Sequence, residues 1–325
     1  MSRIVDDSFK KALYDTISAG HVKESELENI DYISRINRNV RVEDFQIKKI
    51  SKFELIKDVD KRVETVSNSW IDIEVMKKCG KYNSSFVECV NQLKQEGIVG
   101  WKKCCGDGNC YYRAVIVKYM EAIHKVYSPI SYIIKFKQII EKVMNFYSRK
   151  PSHDINYISA CEAIINILNY TIQYKEAYPF EMFMQILDVL QNKVIDIALV
   201  RTAKLIAYYG LLEEQKNENF KEFGLDFSLY QKIILTMNEE AEGFVLIFLP
   251  LVLDCQVIQF NIFKVVQVEN FPHGDRFCIK IPICRRGGHY DILYTIQEME
   301  DDMYCFETGE YHILLQLAND KGEIN

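Results

Sequence analysis

Two short segments hold the side chains best suited to covalent chemistry. In Cys105-Gly-Asp-Gly-Asn-Cys-Tyr-Tyr-Arg-Ala114, a cysteine follows a turn built from Gly, Asp and Asn and opens an apolar run. The turn reads as a helix start with Asp107 as N-cap and Cys110 at the third helical position. A cysteine there meets the positive end of the helix dipole and backbone N–H groups that lack intrahelical partners, and both favour thiolate. The same N–H groups can receive the oxyanion of a tetrahedral intermediate, while Gly106 and Gly108 let a substrate backbone come close. A capped core helix with a small buried thiol fits these ten residues equally well.

A thiolate nucleophile needs a base, and the chain has six histidines: His21, His124, His153, His273, His289 and His312. His289 follows Gly287-Gly288 and opens His-Tyr-Asp-Ile-Leu-Tyr294. In a strand His289, Asp291 and Leu293 share one face and Tyr290, Ile292 and Tyr294 the other. The Asp291 carboxylate then lies beside the imidazole, fixes its tautomer and stabilises imidazolium. Cys110, His289 and Asp291 together suit acyl transfer through a thioester. The spacing of Cys278, Cys284 and His289 matches no usual zinc set and would consume the base, so a zinc site there is not expected.

These residues need a scaffold, and glycine and proline mark its joints. No glycine occurs between Gly108 and Gly210, where only Pro129, Pro151 and Pro179 interrupt apolar residues recurring every three or four positions. That stretch reads as packed helices. After Pro250 the period becomes two, with Ile258, Phe260 and Ile262 on one face and Ile279, Ile281 and Ile283 on another. Arg285-Arg286-Gly287-Gly288 then forms a hairpin turn into the His289 strand. The expected fold is α+β, helices packed on a small, mostly antiparallel sheet. Residues 1–80 read as an N-terminal extension, 81–297 as the catalytic domain and 298–325 as a C-terminal tail.

Composition limits the function classes. With 40 Lys plus Arg against 46 Asp plus Glu, a net charge of −6 and both signs dispersed, no phosphate-tracking face is expected, hence no nucleic-acid partner. The longest apolar run, Phe244 to Leu253, contains Pro250 and is too short to span a bilayer. The acidic amino terminus does not read as a secretory signal. Ten irregularly spaced cysteines read as reduced thiols, so a cytoplasmic or nuclear address without membrane partners is expected.

Asp107-Gly-Asn-Cys110-Tyr-Tyr-Arg-Ala114 resembles the nucleophile motif of the ovarian-tumour-type cysteine proteases, and His289-Tyr-Asp-Ile-Leu-Tyr294 resembles the histidine motif of their otubain branch. Glu239-Glu-Ala-Glu-Gly243 is similar to an acidic segment that otubains carry before the helix preceding the last strands, and Arg201 to Gly210 is similar to an otubain helix. The resemblance implies a papain-like fold and a deubiquitinating isopeptidase that uses no cofactor. It casts Cys110 as nucleophile, His289 as base and then acid, and Asp291 as its orienter. The oxyanion hole would be formed by the Asp107 backbone and the Cys110 amide. Glu239, Glu240 and Glu242 suit the arginines of the ubiquitin tail by charge, and a solvated helix entry fits them as well. The alternative function is a non-catalytic binder of ubiquitin and ubiquitin-conjugating enzymes. Tyr111 stands where the family usually has Phe, and Pro250 falls inside the helix before the sheet, where it removes one hydrogen bond.

Overall fold

The computed structural model describes residues 63–67, 70–80, 83–151, 153–216, 226–274 and 276–299. Expectations for the extension up to 62 and for the tail from 300 fall outside these residues. Six strands form one sheet: β1 (Ile71–Asp72), β2 (Ile98–Lys102), β3 (Gln256–Ile262), β4 (Val266–Phe271), β5 (Lys280–Arg286) and β6 (His289–Thr295). Their order is β1-β2-β6-β5-β3-β4. Four pairings are antiparallel and one, β3 with β5, is parallel. The β5–β6 turn is Gly287-Gly288, with φ of +51° and +87°, in the left-handed region that a tight two-residue turn demands and glycine adopts without strain.

The sheet is accompanied by α1 (Ile73–Met76), α2 (Ser84–Gln95), α3 (Cys110–His124), α4 (Ile130–Ser148), α5 (Ile155–Tyr174), α6 (Pro179–Val189), α7 (Lys193–Glu214), α8 (Phe227–Leu235) and α9 (Val245–Leu253), with a 3-10 helix at Lys77–Gly80. Local chemistry sets several starts. Asn83, Asp154, Asn192 and Asp226 each accept a first-turn amide proton, and Pro179 occupies the first position of α6. Tyr290, Ile292 and Tyr294 face the core shared with α3, α7 and α9, whereas Phe260, Cys284 and Leu293 pack with α1 and α2 on the opposite face. No described helix is long and apolar enough to cross a membrane.

The packed body includes residues before 81. β1 pairs with β2, and Ile71, Ile73, Val75 and Met76 are buried, so these residues belong to the same core as α2.

Helix α3 is buried on nearly every side, so its polar residues need internal partners. Lys102 on β2 bonds Glu121 at 2.8 Å, Tyr294 on β6 donates to the same carboxylate at 2.6 Å, and Lys118 pairs with Glu298 at 2.7 Å. The first two contacts lock the Cys110 helix to β2 and β6.

Pro250 lies inside α9, as expected. In a regular helix its N–H would take the Leu246 carbonyl, and proline has none. The Tyr111 hydroxyl donates to that carbonyl instead. The two departures from the otubain pattern therefore complement one another: the tyrosine supplies the proton that the proline removed.

Candidate active site

Cys110 is the first residue of α3, with Asn109 as N-cap, which corrects the expected cap at Asp107 and the expected third position for the cysteine. The reason lies in the partners of Asp107. Its carboxylate accepts the Asn109 amide at 3.0 Å in an Asx-type turn and is held bidentately by Arg113 at 2.8 Å for each bond. The Asn109 side chain is drawn outward from the helix. Its Nδ2 donates to Asn238 Oδ1 at 2.8 Å, and its Oδ1 accepts the Asn238 amide at 2.9 Å. Gly108, at φ +83°, sits beneath Asn238 so closely that a Cβ would lie 2.1 Å from the Asn238 carbonyl oxygen.

His289 and Asp291 meet as strand spacing requires, with Nε2 donating to Oδ1 at 3.0 Å. The other nitrogen, Nδ1, lies over Gly106, only 3.5 Å from where a Cβ would stand, and is the one left to serve Cys110. The thiol also reaches the Gly288 carbonyl at 4.0 Å. Hydrogen bonds to Asp291 and then to Cys110 raise the imidazole from its ordinary 6.5 to about 9, despite partial burial. A histidine so placed is held as imidazolium across neutral pH, beside the sulfur.

Asp291 is fully buried and stays ionised because its acceptors are filled. Burial pushes its carboxyl up, but the hydrogen bond from His289 and the charge of Arg286 outweigh this and hold it below its ordinary range. Oδ1 accepts both His289 and the Cys104 amide, the latter at 2.9 Å, while Oδ2 accepts the Arg286 guanidinium.

Arg113 is a second support that sequence reasoning missed. It is buried on α3 and bonds Asp107, the Cys105 carbonyl at 3.1 Å, and Asp196 of α7 at 2.7 and 2.9 Å. Burial works against ionisation of Asp107, yet the bonds from Arg113 lower it to about 2. One guanidinium thus ties the turn before Cys110 to the next helical layer. Arg113 and Arg286 both lie within or beside the two motifs, so their positions were visible; their partners were not.

Of the acidic residues, Glu240 packs against the hairpin turn, its Oε2 3.2 Å from where a Gly288 Cβ would stand. Glu242 lies 3.8 Å from Arg285, and the Glu239 carbonyl faces Lys204 at 3.5 Å. All three residues are exposed, so the structure brings them to the rim of the site without burying them. Of the other described histidines, His124 is buried in α3, while His153 and His273 are exposed away from the cysteine's helix start. Among the described residues, no group of three or more His, Cys, Asp or Glu is placed to hold a metal ion.

A thiol at a helix start, an imidazolium within its reach and a buried carboxylate behind the imidazolium form an arrangement able to attack a carbonyl and protonate a leaving amine. No curated protein matches the chain in sequence. Among solved structures, a ceOTUB1–ubiquitin aldehyde–UBC13~Ub complex aligns with TM-score 0.59 and 18% identity over 78% of this chain and 98% of that one. An h/ceOTUB1–ubiquitin aldehyde–UBCH5B~Ub complex aligns with TM-score 0.58 and 18% identity over 82% and 98%. The Peptidase C65 Otubain family model matches residues 58–295, a span containing the whole site, and the chain belongs to the otubain family.

Proposed function

We propose that this otubain-family chain is a thiol isopeptidase that removes ubiquitin from lysine side chains or from ubiquitin chains. The observation that carries the reading is the convergence of Cys110, His289 and Asp291 where α3 meets β6. Attack of the Cys110 sulfur on the carbonyl between the terminal glycine and the lysine nitrogen forms a tetrahedral intermediate. The Cys110 amide and the Asp107 backbone receive its oxyanion. Collapse expels the lysine amine, which takes its proton from His289, and leaves a thioester on Cys110. Water, losing a proton to His289, then hydrolyses the thioester, releasing the ubiquitin carboxylate and the thiolate. Asp291 stays ionised throughout and keeps the Nδ1 face of the ring toward the sulfur. Arg286 holds Asp291, and Arg113 holds the Asp107 turn.

The partner is ubiquitin, a reading supported by the ubiquitin aldehyde in the similar complexes. Glu240 and Glu242, exposed beside the hairpin turn, are the side chains we assign to the arginines of its tail, with Glu239 next to them. Incubation with diubiquitins of each linkage tests the activity: release of monoubiquitin by the wild type and none by Cys110→Ala is expected, and intact dimers throughout would overturn it. The second reading is binding by occupancy, favoured by the ubiquitin-conjugating enzymes charged with ubiquitin in those complexes. It gains the lead if Cys110→Ala binds charged conjugating enzyme as tightly as the wild type while neither cleaves.

A further inference from the structure

Lys204 lies on α7 with its side chain fully buried, yet it takes no part in the chemistry described above. Its Nζ donates to the Thr236 carbonyl at 2.9 Å and faces the Glu239 carbonyl at 3.5 Å, while sitting 4.2 Å from the centre of the Tyr112 ring. The segment it grips touches both halves of the site. Asn238 is bonded twice to Asn109, the residue that caps the Cys110 helix, and its carbonyl rests on Gly108. Two residues on, the Glu240 carboxylate packs against Gly288 in the turn that presents His289. Asn238 itself has φ of +65°, so the chain bends there into a conformation that other contacts must hold in place.

We propose that Lys204 is a positioning residue for the Cys110–His289 pair, its ammonium tethering residues 236–240 to α7 so that this segment seats the nucleophile turn and the histidine turn together. A buried ammonium is an expensive tether, because burial opposes its charge. It is retained beside three compensating groups: the Glu239 carboxylate, the Asp107 carboxylate and the Tyr112 ring face. Burial, only partly offset by Glu239 and Asp107, lowers Lys204 to about 8, so the tether loses its charge within an accessible pH range. The lysine falls in the Arg201 to Gly210 segment, whose likeness to an otubain helix was readable without any function for it. The inference rests on Cys110 and His289 being the reacting pair, but its primary test does not require ubiquitin.

The Asn238 amide reports the seating directly, since it donates to Asn109 Oδ1. Hydrogen exchange is measured on the full chain for wild type, Lys204→Met, which keeps the apolar stem, and Lys204→Arg, which keeps the charge. Loss of a charge-assisted hydrogen bond in Lys204→Met is expected to lower protection at Asn238 by about 10- to 100-fold at pH 7, with α7 and α3 unchanged. Lys204→Arg restores most of it. Alkylation of Cys110 by iodoacetamide, located by peptide mapping, changes with the exchange in Lys204→Met and returns in Lys204→Arg. In the wild type alone, Asn238 protection corrected for intrinsic exchange falls as pH rises through about 8, and this readout stands even if Lys204→Met does not fold. Protection at Asn238 that is equal in wild type and Lys204→Met, or flat in the wild type from neutral pH to well above 8, overturns the proposal. If the exchange changes appear but the chain leaves diubiquitin intact, the positioning role stands and the isopeptidase reading fails.

Discussion

If the Tyr111 hydroxyl replaces the N–H that Pro250 lacks, the cost of removing it must depend on the residue at 250. Both Tyr111 and Leu246 are buried, at 1% and 4% exposure, so water cannot reach the carbonyl once the hydroxyl is gone. Tyr111→Phe then strands a buried acceptor, which costs about 1–3 kcal/mol. In a Pro250→Ala background the alanine N–H takes the Leu246 carbonyl within α9, and Tyr111→Phe loses only a redundant bond, about 0.5–1 kcal/mol. The expected coupling is thus about 0.5–2 kcal/mol, with the double mutant more stable than the sum of the singles. Denaturant unfolding of the four proteins, followed by far-UV circular dichroism, measures it. Additivity within about 0.5 kcal/mol would refute the compensation and leave the two residues as independent departures.

Three further outcomes follow from the site. Arg113→Met leaves Asp196 buried without its charge partner, so a loss of about 3–5 kcal/mol is expected on unfolding; adding Asp196→Leu recovers stability but not capture of a ubiquitin probe, because Asp107 and the Cys105 carbonyl remain unheld. Gly108→Ala forces a methyl onto the Asn238 carbonyl and a strained φ, and is expected to displace the turn and reduce Cys110 reactivity by about tenfold or more while the far helices keep their exchange protection. The pH dependence has a definite sign. His289 is raised from 6.5 to about 9, so its contribution to stability is complete below 6.5 and is lost as pH rises through about 9. Asp107 is lowered from 3.8 to about 2, so its contribution is present above 3.8 and is lost as pH falls through about 2. Unfolding midpoints of the wild type, His289→Asn and Asp107→Asn across pH check both windows: each substitution should flatten its own limb and leave the other unchanged.

Where local pattern decides the structure, the sequence was readable. The glycine-free helices, the period-two strands and the Gly287-Gly288 turn all follow from backbone sterics and burial. So does the pairing of His289 with Asp291, because two residues on one strand face must be neighbours. What stayed hidden depends on partners distant in the chain. Asp107 looked like the cap because its type suits a cap, but Arg113 claims its carboxylate and leaves the cap position to Asn109. Asn238 and Lys204 carry no motif of their own and acquire meaning only when the 236–240 segment folds over Gly108. The parallel pairing of β3 with β5 was hidden likewise, since β4 turns back on β3 and leaves its other edge to a strand further along the chain.

On the proposed reading, Cys110 is a nucleophile presented to the carboxy terminus of ubiquitin. It is tested most directly by incubating wild type and Cys110→Ala with ubiquitin bearing a thiol-reactive electrophile at that terminus, then reading intact mass and mapping the modified peptide. One ubiquitin on the wild type, attached at Cys110, and none on the mutant is expected. No adduct on a folded wild type that still binds ubiquitin, or an adduct mapped to another cysteine, would contradict it.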